Sequence, residues 1–430
     1  MSLPGDASLS LDQAPPLAIP ASFFLLAPAM AAGAGLLLVL LGIDPLESGG
    51  RPASRALTHL GTLGFVGSAM LGALYQMIPV VAGARVPLVR VAYGVFGLWA
   101  LGVGLLVAAF LQAAPGPLWH AAGGALGLAL LGFLLPVGLA LLRAPAQTAT
   151  RVGMGFAVGG LVLVALLGMA FVALRGADWI PPGYHPVDWR VGHLGLGLAV
   201  WIGGLLVAVS WQVLPMFYLA EEIDPSYRVA VTACAGLSLL AVPIALMLGT
   251  SASVVGALLP ATLAAWVAHP ALVAPSLRRR RRKRRDESLT AWFAALACAP
   301  LTALLGLAAL TLPSPRWDVA FLLVAVWGWA GFAIHGMLCR IVPFLVWFHR
   351  LSPHVGILPV PSMRKLLPQD RIRRGLIAHG TTLALALAAV MTGVDGIARL
   401  AGLGFVVTAA ALGSSLVSVL RVRAPATVDG

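Results

Sequence analysis

The chain has 430 residues, of which 60% are hydrophobic and only 10% are charged. Its mean hydropathy is +0.96. No long polar stretch separates the apolar runs, which excludes a separate soluble domain and indicates an integral membrane protein.

The net charge of +13 is concentrated in one place. Eight of the 28 Lys and Arg residues form a single run, Arg278 to Arg285, between two apolar stretches. A run in this position is typical of a cytoplasmic loop that contacts anionic lipid. We therefore expect the lipid bilayer as the partner of this charge, with anionic lipid at Arg278–Arg285, and no nucleic acid.

The apolar runs predict an all-α polytopic membrane protein with twelve transmembrane helices. Each run has about 20 residues or more, which is the length that crosses a bilayer as a helix. We expect helices near residues 20–42, 57–80, 89–112, 118–142, 153–174, 192–219, 229–249, 252–274, 290–312, 318–347, 375–393 and 397–420.

The remaining positive charges predict how these helices are oriented. If the Arg278–Arg285 loop is cytoplasmic, both termini are cytoplasmic, 21 Lys and Arg residues lie on the inner side and 6 on the outer side. Arg340 is left within a helix, where we expect its side chain to reach toward the inner surface. This asymmetry favours a multi-pass protein of a bacterial-type inner (cytoplasmic) membrane.

A repeated pattern links the second, sixth and tenth helices. His59 opens a glycine-lined run in which Tyr75 and Gln76 precede Pro79. His193 opens a second run, in which Trp211 and Gln212 stand at the same offset before Pro215. A third run ends at Pro343 and has Leu323 where the first has His59.

Equivalent helices spaced by four predict three pseudo-repeated four-helix arcs in a single transmembrane domain, residues 1–430. The arcs cover roughly 20–142 with 375–420, then 153–274, and then 290–347. We expect the second, sixth and tenth helices to face inward, because a polar ring gains nothing from contact with lipid.

Three imidazoles near one depth form the candidate site. In the predicted topology His59, His120 and His193 each begin a helix at the outer boundary. They could converge on haem or copper, for which imidazole is a suitable ligand. The alternative is that all three are interfacial histidines, solvated by headgroups or hydrogen-bonded to loops.

Several neighbours of these histidines are candidate cofactor contacts. Arg55 precedes His59 by four residues and Arg190 precedes His193 by three, so either guanidinium could pair with a haem propionate or simply anchor a helix end. The glycines of the second helix leave room for a flat group or for a neighbouring backbone. The aromatic-Gln pairs of both runs, Tyr75, Gln76, Trp211 and Gln212, complete the set.

His185 belongs to the predicted outer loop 175–191, and the other five histidines divide into two groups. His335 lies within the tenth helix, as a possible metal ligand, a proton-path residue or a hydrogen-bonded core residue. The rest, His269, His349, His354 and His379, are predicted at the inner surface in contact with solvent. Carboxylates are scarce within the apolar runs, which argues against a proton-coupled or ion-driven carrier.

The pattern His-x-x-x-Leu-Gly-x-x-Gly from His59, followed by Gly-Ala-x-Tyr and then Pro79, resembles the ligand-bearing helices of subunit I of the haem–copper oxidases and nitric oxide reductases. The resemblance implies twelve helices in three pseudo-symmetric arcs. It likens His59 to the low-spin haem ligand of helix two and His193 to the copper ligand of helix six. The family's histidines on helices seven and ten have no counterpart in residues 229–249 or around Leu323.

The resemblance therefore implies a divergent member without the standard binuclear centre. We expect a haem-binding membrane protein that holds haem b through His59, with His193 or His120 as second ligand and copper as a further possibility. Electron transfer, or the handling of haem, copper or nitric oxide, would be its role, with an electron-donor protein or quinol as partner. Alternatives are a cofactor-free transporter or scaffold that retains the fold, and a reductase with an unusual ligand such as His335.

Overall fold

The computed structural model describes residues 14–112, 116–145, 148–175, 180, 184–281, 283–284 and 286–423. Within these ranges the chain is helical and contains no β-strand. Twelve helices are long and apolar enough to cross a membrane: α1 (Ala18–Leu41), α2 (Pro52–Ala82), α3 (Val91–Gln112), α4 (Pro117–Arg143), α5 (Ala149–Ala173), α6 (Pro186–Tyr218), α7 (Pro225–Leu248), α8 (Ser251–Arg278), α9 (Glu287–Thr311), α10 (Arg316–His354), α11 (Gln369–Thr392) and α12 (Asp395–Leu420).

The prediction of an all-helical protein with twelve spans is confirmed, and a lipid bilayer is its environment. The largest differences are at the end of α10, which continues from the predicted 347 to His354, and at three helix starts. α2 and α6 begin at Pro52 and Pro186, five to six residues before the apolar runs, because proline suits the first helical turn, where its missing N–H costs no hydrogen bond. α11 also begins early, at Gln369, and its first turns carry arginines that a hydropathy reading assigns to a loop.

Three of the twelve spans are far more buried than the others. In α2, α6 and α10 the apolar window is 89%, 72% and 89% buried, whereas the remaining nine spans are 22–44% buried. Each of the other nine has one exposed face. Lipid tails are as apolar as a protein core, so a leucine on such a face is as favourably placed in lipid as in the interior. The expectation that the second, sixth and tenth helices face inward is thus confirmed, although the three-arc organisation and the orientation of the termini stay predictions.

The same three helices share a local distortion. Each contains a π-helical stretch of seven or eight residues: Leu60–Gly67 in α2, Leu196–Gly203 in α6 and Val324–Ala330 in α10. Each stretch begins 19 residues before the proline of its run, Pro79, Pro215 or Pro343. Long π-helical segments are rare and often mark functional sites, so a common register in three helices supports the predicted repeat.

The chain divides into two compact units, each with its own packing. The terminal unit (Pro16–Gly72 and Arg284–Gly430) contains α1, most of α2 and α9–α12. In it α12 lies against α1, α11 and α10. The central unit (Ala73–Lys283) contains α3–α8, with α5 in contact with α4, α6 and α7.

The contact of α1 with α12 depends on two glycines that face each other. A Cβ atom on Gly402 would lie 2.7 Å from the carbonyl oxygen of Gly35, and one on Gly35 would lie 2.5 Å from that of Gly402. No side chain fits in either place, so the two backbones are in direct contact. Small residues allow this kind of close helix approach in membrane proteins, where dispersion replaces hydrophobic burial as the driving force.

Substitution of Gly402 should therefore separate the two helices. We expect Gly402→Ala to lower the free energy of unfolding by about 1–3 kcal/mol, the usual cost of overpacking. Gly396→Ala in the same helix is the matched control, because nothing lies within 4 Å of its Cβ position. The measurement is the thermal unfolding midpoint in detergent, and equal midpoints for the two variants would contradict the close contact.

Candidate functional site

His59 lies at the start of the π-helical stretch of α2. Its Nδ1 is 2.7 Å from the carbonyl oxygen of Arg55, one helical turn earlier. A carbonyl only accepts hydrogen bonds, so Nδ1 carries the proton and, in the neutral ring, Nε2 carries the lone pair. A backbone carbonyl that fixes one ring nitrogen in this way is the usual support of a metal-binding histidine.

Side chains of neighbouring helices occupy the space beside the glycines of α2. Cβ atoms on Gly64 and Gly72 would lie 2.7 Å from Met30 and 2.9 Å from Phe23, both in α1. A Cβ atom on Gly61 would lie 3.0 Å from Val326 of α10. Of the two uses predicted for these glycines, the structure shows close helix packing, so this face of α2 has no slot for a flat group.

A small apolar cavity adjoins the same stretch. It has a volume of about 50 Å³, and its lining includes Leu57, Thr58, Gly61, Leu323 and Trp327. Ligand pockets usually have about 300–1,000 Å³. The cavity therefore holds little more than one water molecule, which occupies about 30 Å³ in the liquid. Leu323, which replaces the histidine in the third copy of the repeat, is part of this lining.

His193 and His59 are not at equivalent positions. The π-helical stretch begins one residue after His59 but three residues after His193. Two residues correspond to about 200° around a helix, so in a common register the two rings leave their helices on nearly opposite faces. His193 lies against α5, with its ring 5.6 Å from that of Phe171 in an edge-to-face contact.

Of the remaining residues predicted near the outer boundary, two are exposed and one is half-buried. His120 is exposed, beside Trp119, whose ring carries the guanidinium of Arg175 at 3.7 Å. Arg190 is also exposed, and its Nε donates to the carbonyl oxygen of Pro186 at 3.2 Å. Arg55 is half-buried and supplies the carbonyl that holds His59. His120 and Arg190 thus lie where their interfacial alternatives place them.

The aromatic-Gln pairs are largely buried. The Tyr75 ring meets Phe133 edge-on at 5.3 Å. Within the described residues the Oε1 atom of buried Gln76 has no hydrogen-bond donor. Trp211 donates from Nε1 to Thr232 Oγ1 at 3.3 Å, whereas Gln212 is half-buried. Three of these four side chains therefore belong to the interior of the central unit.

The most connected group of buried polar side chains joins α10 and α11. The Nδ1 atoms of His335 and His379 are 3.1 Å apart. The His379 ring is stacked between Trp327 and Phe332, with both ring centroids at 4.2 Å. Its Nε2 lies 2.8 Å from the carbonyl oxygen of Trp327, and the indole N–H of Trp327 donates to the carbonyl oxygen of His379 at 3.3 Å.

These contacts determine the tautomers of the neutral pair. Because the Trp327 carbonyl only accepts, His379 Nε2 carries the proton and His379 Nδ1 accepts. His335 Nδ1 must then be the donor of the bond between the two rings. Of the alternatives for His335, the structure favours a core histidine held by hydrogen bonds, since its Nδ1 is used by another imidazole.

The prediction that His379 and His269 are solvated at the inner surface is wrong. Their exposed fractions are 0% and 1%. α11 begins at Gln369 and α8 continues to Arg278, so each ring lies well inside its helix. The signal was available in the sequence, because His379 has the helical spacing of the buried residues Ile372, Leu376, Leu383 and Ala386.

His269 forms a second buried contact, in the central unit. Its Nε2 lies 2.8 Å from Ser210 Oγ, and the Ser210 hydroxyl also lies 2.7 Å from the carbonyl oxygen of Val207. Since that hydroxyl donates its single proton to the carbonyl, His269 Nε2–H donates to the hydroxyl oxygen. The His269 ring also meets Trp211 edge-on at 5.2 Å.

Of the charged groups near the expected inner side, one is paired within the membrane and others cap helices. Arg340 contacts Asp286 at 3.3 Å. The sequence predicted that its side chain reaches toward the inner surface, and the structure instead pairs its guanidinium with a carboxylate. Asp224 caps α7 by accepting hydrogen bonds from the side chain and backbone of Ser226, which hold the pKa of this carboxyl below its usual range. These carboxylates stabilise helix ends.

Over the part of the chain that the structure describes, no three His, Cys, Asp or Glu side chains are placed to hold one metal ion. The predicted ligands are distributed between the two units, His59 and His335 in the terminal unit and His120 and His193 in the central unit. No protein-family model matches the chain, and a search of curated proteins finds no match either.

The histidine pair should contribute measurably to stability. His379→Phe keeps a ring between Trp327 and Phe332 but leaves His335 Nδ1 and the Trp327 carbonyl without their partner. We expect the free energy of unfolding to fall by about 1–3 kcal/mol, the cost of unsatisfied buried polar groups. His120→Phe, at an exposed position, should change it by less than about 0.5 kcal/mol. Denaturation in mixed micelles measures both, and a silent His379→Phe would contradict the hydrogen-bond chain.

Proposed function

We propose that this chain is a haem-binding integral membrane protein with a fold of the haem–copper oxidase subunit I type and without the standard binuclear centre. The single observation that supports it best is His59, whose Nδ1–H is held by the Arg55 carbonyl so that Nε2 carries the lone pair. The π-helical stretches shared by the three interior helices support the fold part of the proposal.

The residues fit the group in part. A b-type haem needs an axial imidazole nitrogen, and His59 Nε2 has the protonation required of it. It also needs a wide slot, and the glycine face of α2 is excluded because Met30, Phe23 and Val326 fill it. The second ligand stays a choice between His193 and His120, and neither follows from the repeat, since His193 is two residues out of register with His59.

A bound haem would supply one-electron chemistry, and electron transfer is the role that two axial ligands favour. In that role the backbone of Arg55 orients the His59 ring, and the Arg55 and Arg190 side chains are the candidates for pairing with propionates. Copper or nitric oxide handling, and a quinol or protein as electron donor, belong to the same proposal. The expected location is a bacterial-type inner membrane with both termini in the cytoplasm.

The basic run is proposed to contact anionic lipid at that membrane. In the described part of the run, Arg279 pairs with Glu221 at 2.5 Å and Lys283 donates to the Arg278 carbonyl at 2.5 Å. Arg282 and Arg285 lie outside the described residues. The excess of positive charge over this one carboxylate favours attraction to an anionic surface.

The haem proposal has a direct optical test. We expect the protein expressed with ample haem to purify with a Soret band, and His59→Ala to remove most of it, because the axial nitrogen is lost. His354→Ala, outside the proposed site, is the control and should leave the spectrum unchanged. A wild-type protein without a Soret band, or an unchanged spectrum in His59→Ala, would refute haem binding through His59.

A second candidate is a cofactor-free transporter or scaffold that retains the fold. The packing of the interior helices favours the scaffold, because side chains fill the glycine face of α2 and the adjoining cavity has about 50 Å³, whereas a transporter predicts a substrate cavity midway across the bilayer. This candidate predicts no Soret band and no stoichiometric metal in the purified protein. The same spectrum, with elemental analysis, therefore separates the two functions.

A further inference from the structure

Three arginines line an open cleft of about 640 Å³ at one end of the terminal unit, together with Leu420. Arg421 and Arg423 follow the last residue of α12, and Arg350 lies in the last turns of α10. Positive charge at this end of both helices agrees with the predicted inner side of the membrane.

Arg350 is fixed in place by the end of α12. Its Nη1 donates to the carbonyl oxygens of Leu420 and Val422, both at 2.6 Å. These are carbonyls at the end of a helix, which lack a partner within the helix itself. The guanidinium has five N–H donors, and those on Nε and Nη2 are not used in either bond. Arg350 is thus a pre-oriented donor at the wall of the cleft.

The charge of the cleft is not balanced by the described carboxylates. The acidic residues that precede α9 and begin α11 are engaged elsewhere, Asp286 with Arg340 at 3.3 Å and Asp370 with Arg373 at 3.5 Å. Within the described residues no carboxylate forms an ion pair with Arg350, Arg421 or Arg423. Three neighbouring guanidinium groups repel one another, so an anion between them is favoured.

A lipid-facing stripe of α12 leads to this cleft. Its exposed residues Leu403, Val407, Ala410 and Ser414 follow the helical spacing of four, three and four. Seven residues after Ser414 the same face reaches Arg421. An acyl chain that lies along this stripe would end with its headgroup at Arg421, an arrangement that a soluble phosphate does not need.

We propose that Arg350, Arg421 and Arg423 form a binding site for the phosphate of one anionic phospholipid. Guanidinium groups bind phosphate oxygens through paired N–H donors, which makes arginine better suited to this task than lysine. The site is separate from the Arg278–Arg285 run, and it does not depend on haem. Its tightly held lipid fastens the ends of α10 and α12 to the membrane surface.

The test is native mass spectrometry of the full-length protein in detergent, titrated with phosphatidylglycerol or phosphatidylcholine. The wild type should bind one phosphatidylglycerol in preference to phosphatidylcholine. Arg421→Gln with Arg423→Gln should weaken phosphatidylglycerol binding about 30-fold, on the scale of about 1 kcal/mol for each basic residue at a membrane surface. Binding of phosphatidylcholine should stay unchanged.

The matched control is Lys365→Gln with Arg374→Gln, which removes two exposed charges, leaves the pair of Asp370 with Arg373 intact and should keep the wild-type preference. A charge-conserving pair, Arg421→Lys with Arg423→Lys, controls for misfolding of the substituted protein. It should retain part of the preference for phosphatidylglycerol. Equal losses in the cleft and control pairs would reduce the effect to general surface charge and overturn the site. Displacement of the lipid by excess inorganic phosphate would overturn the lipid assignment, as would a wild type that does not prefer phosphatidylglycerol.

Discussion

Lipid offers no hydrogen-bond partner to a polar group, and the interior of this chain is arranged under that constraint. Backbone groups are satisfied within helices, and several buried side chains are satisfied by one another or by carbonyls, although Gln76 Oε1 has no donor within the described residues. His379 is bonded at both ring nitrogens, to His335 and to the Trp327 carbonyl. At the end of α12, where carbonyls lack a partner within the helix, Arg350 donates hydrogen bonds to those of Leu420 and Val422. For His379 and Arg350, hydrogen bonding alone therefore explains why a polar side chain stands in these helices.

This constraint changes how an intramembrane histidine should be interpreted. His335 and His379 use three of their four ring nitrogens to hold each other and Trp327, so their first role is to join α10 to α11. His59 differs, because its bond to the Arg55 carbonyl fixes the proton on Nδ1 and defines Nε2 as the nitrogen with the lone pair. A ring whose tautomer is fixed with an unprotonated Nε2 is a candidate ligand, whereas two rings that bond to each other have a structural role.

The fold was largely predictable from sequence, because hydropathy reports directly on what a bilayer requires. All twelve spans were anticipated, and the proline-terminated repeat identified α2, α6 and α10 as the buried ones. Errors arose at helix starts, where Pro52, Pro186 and the arginines after Gln369 are not apolar. The misplaced start of α11 moved His379 from the core to the surface, although its spacing to Leu376 and Leu383 indicated a buried face.

The candidate site was less predictable, because the two histidines stand at different distances from their prolines, 20 residues for His59 and 22 for His193, and the prediction treated them as equivalent. Counting from the histidines makes His59 and His193 equivalent, whereas counting from the prolines makes the three π-helical stretches equivalent. The second count has the stronger physical basis, since the three π-helical stretches begin at one distance from their prolines and the two histidines do not. In that count His193 corresponds to Leu57, and His59 to Gly195. The repeat then describes the scaffold, and each imidazole has to be judged from its own surroundings.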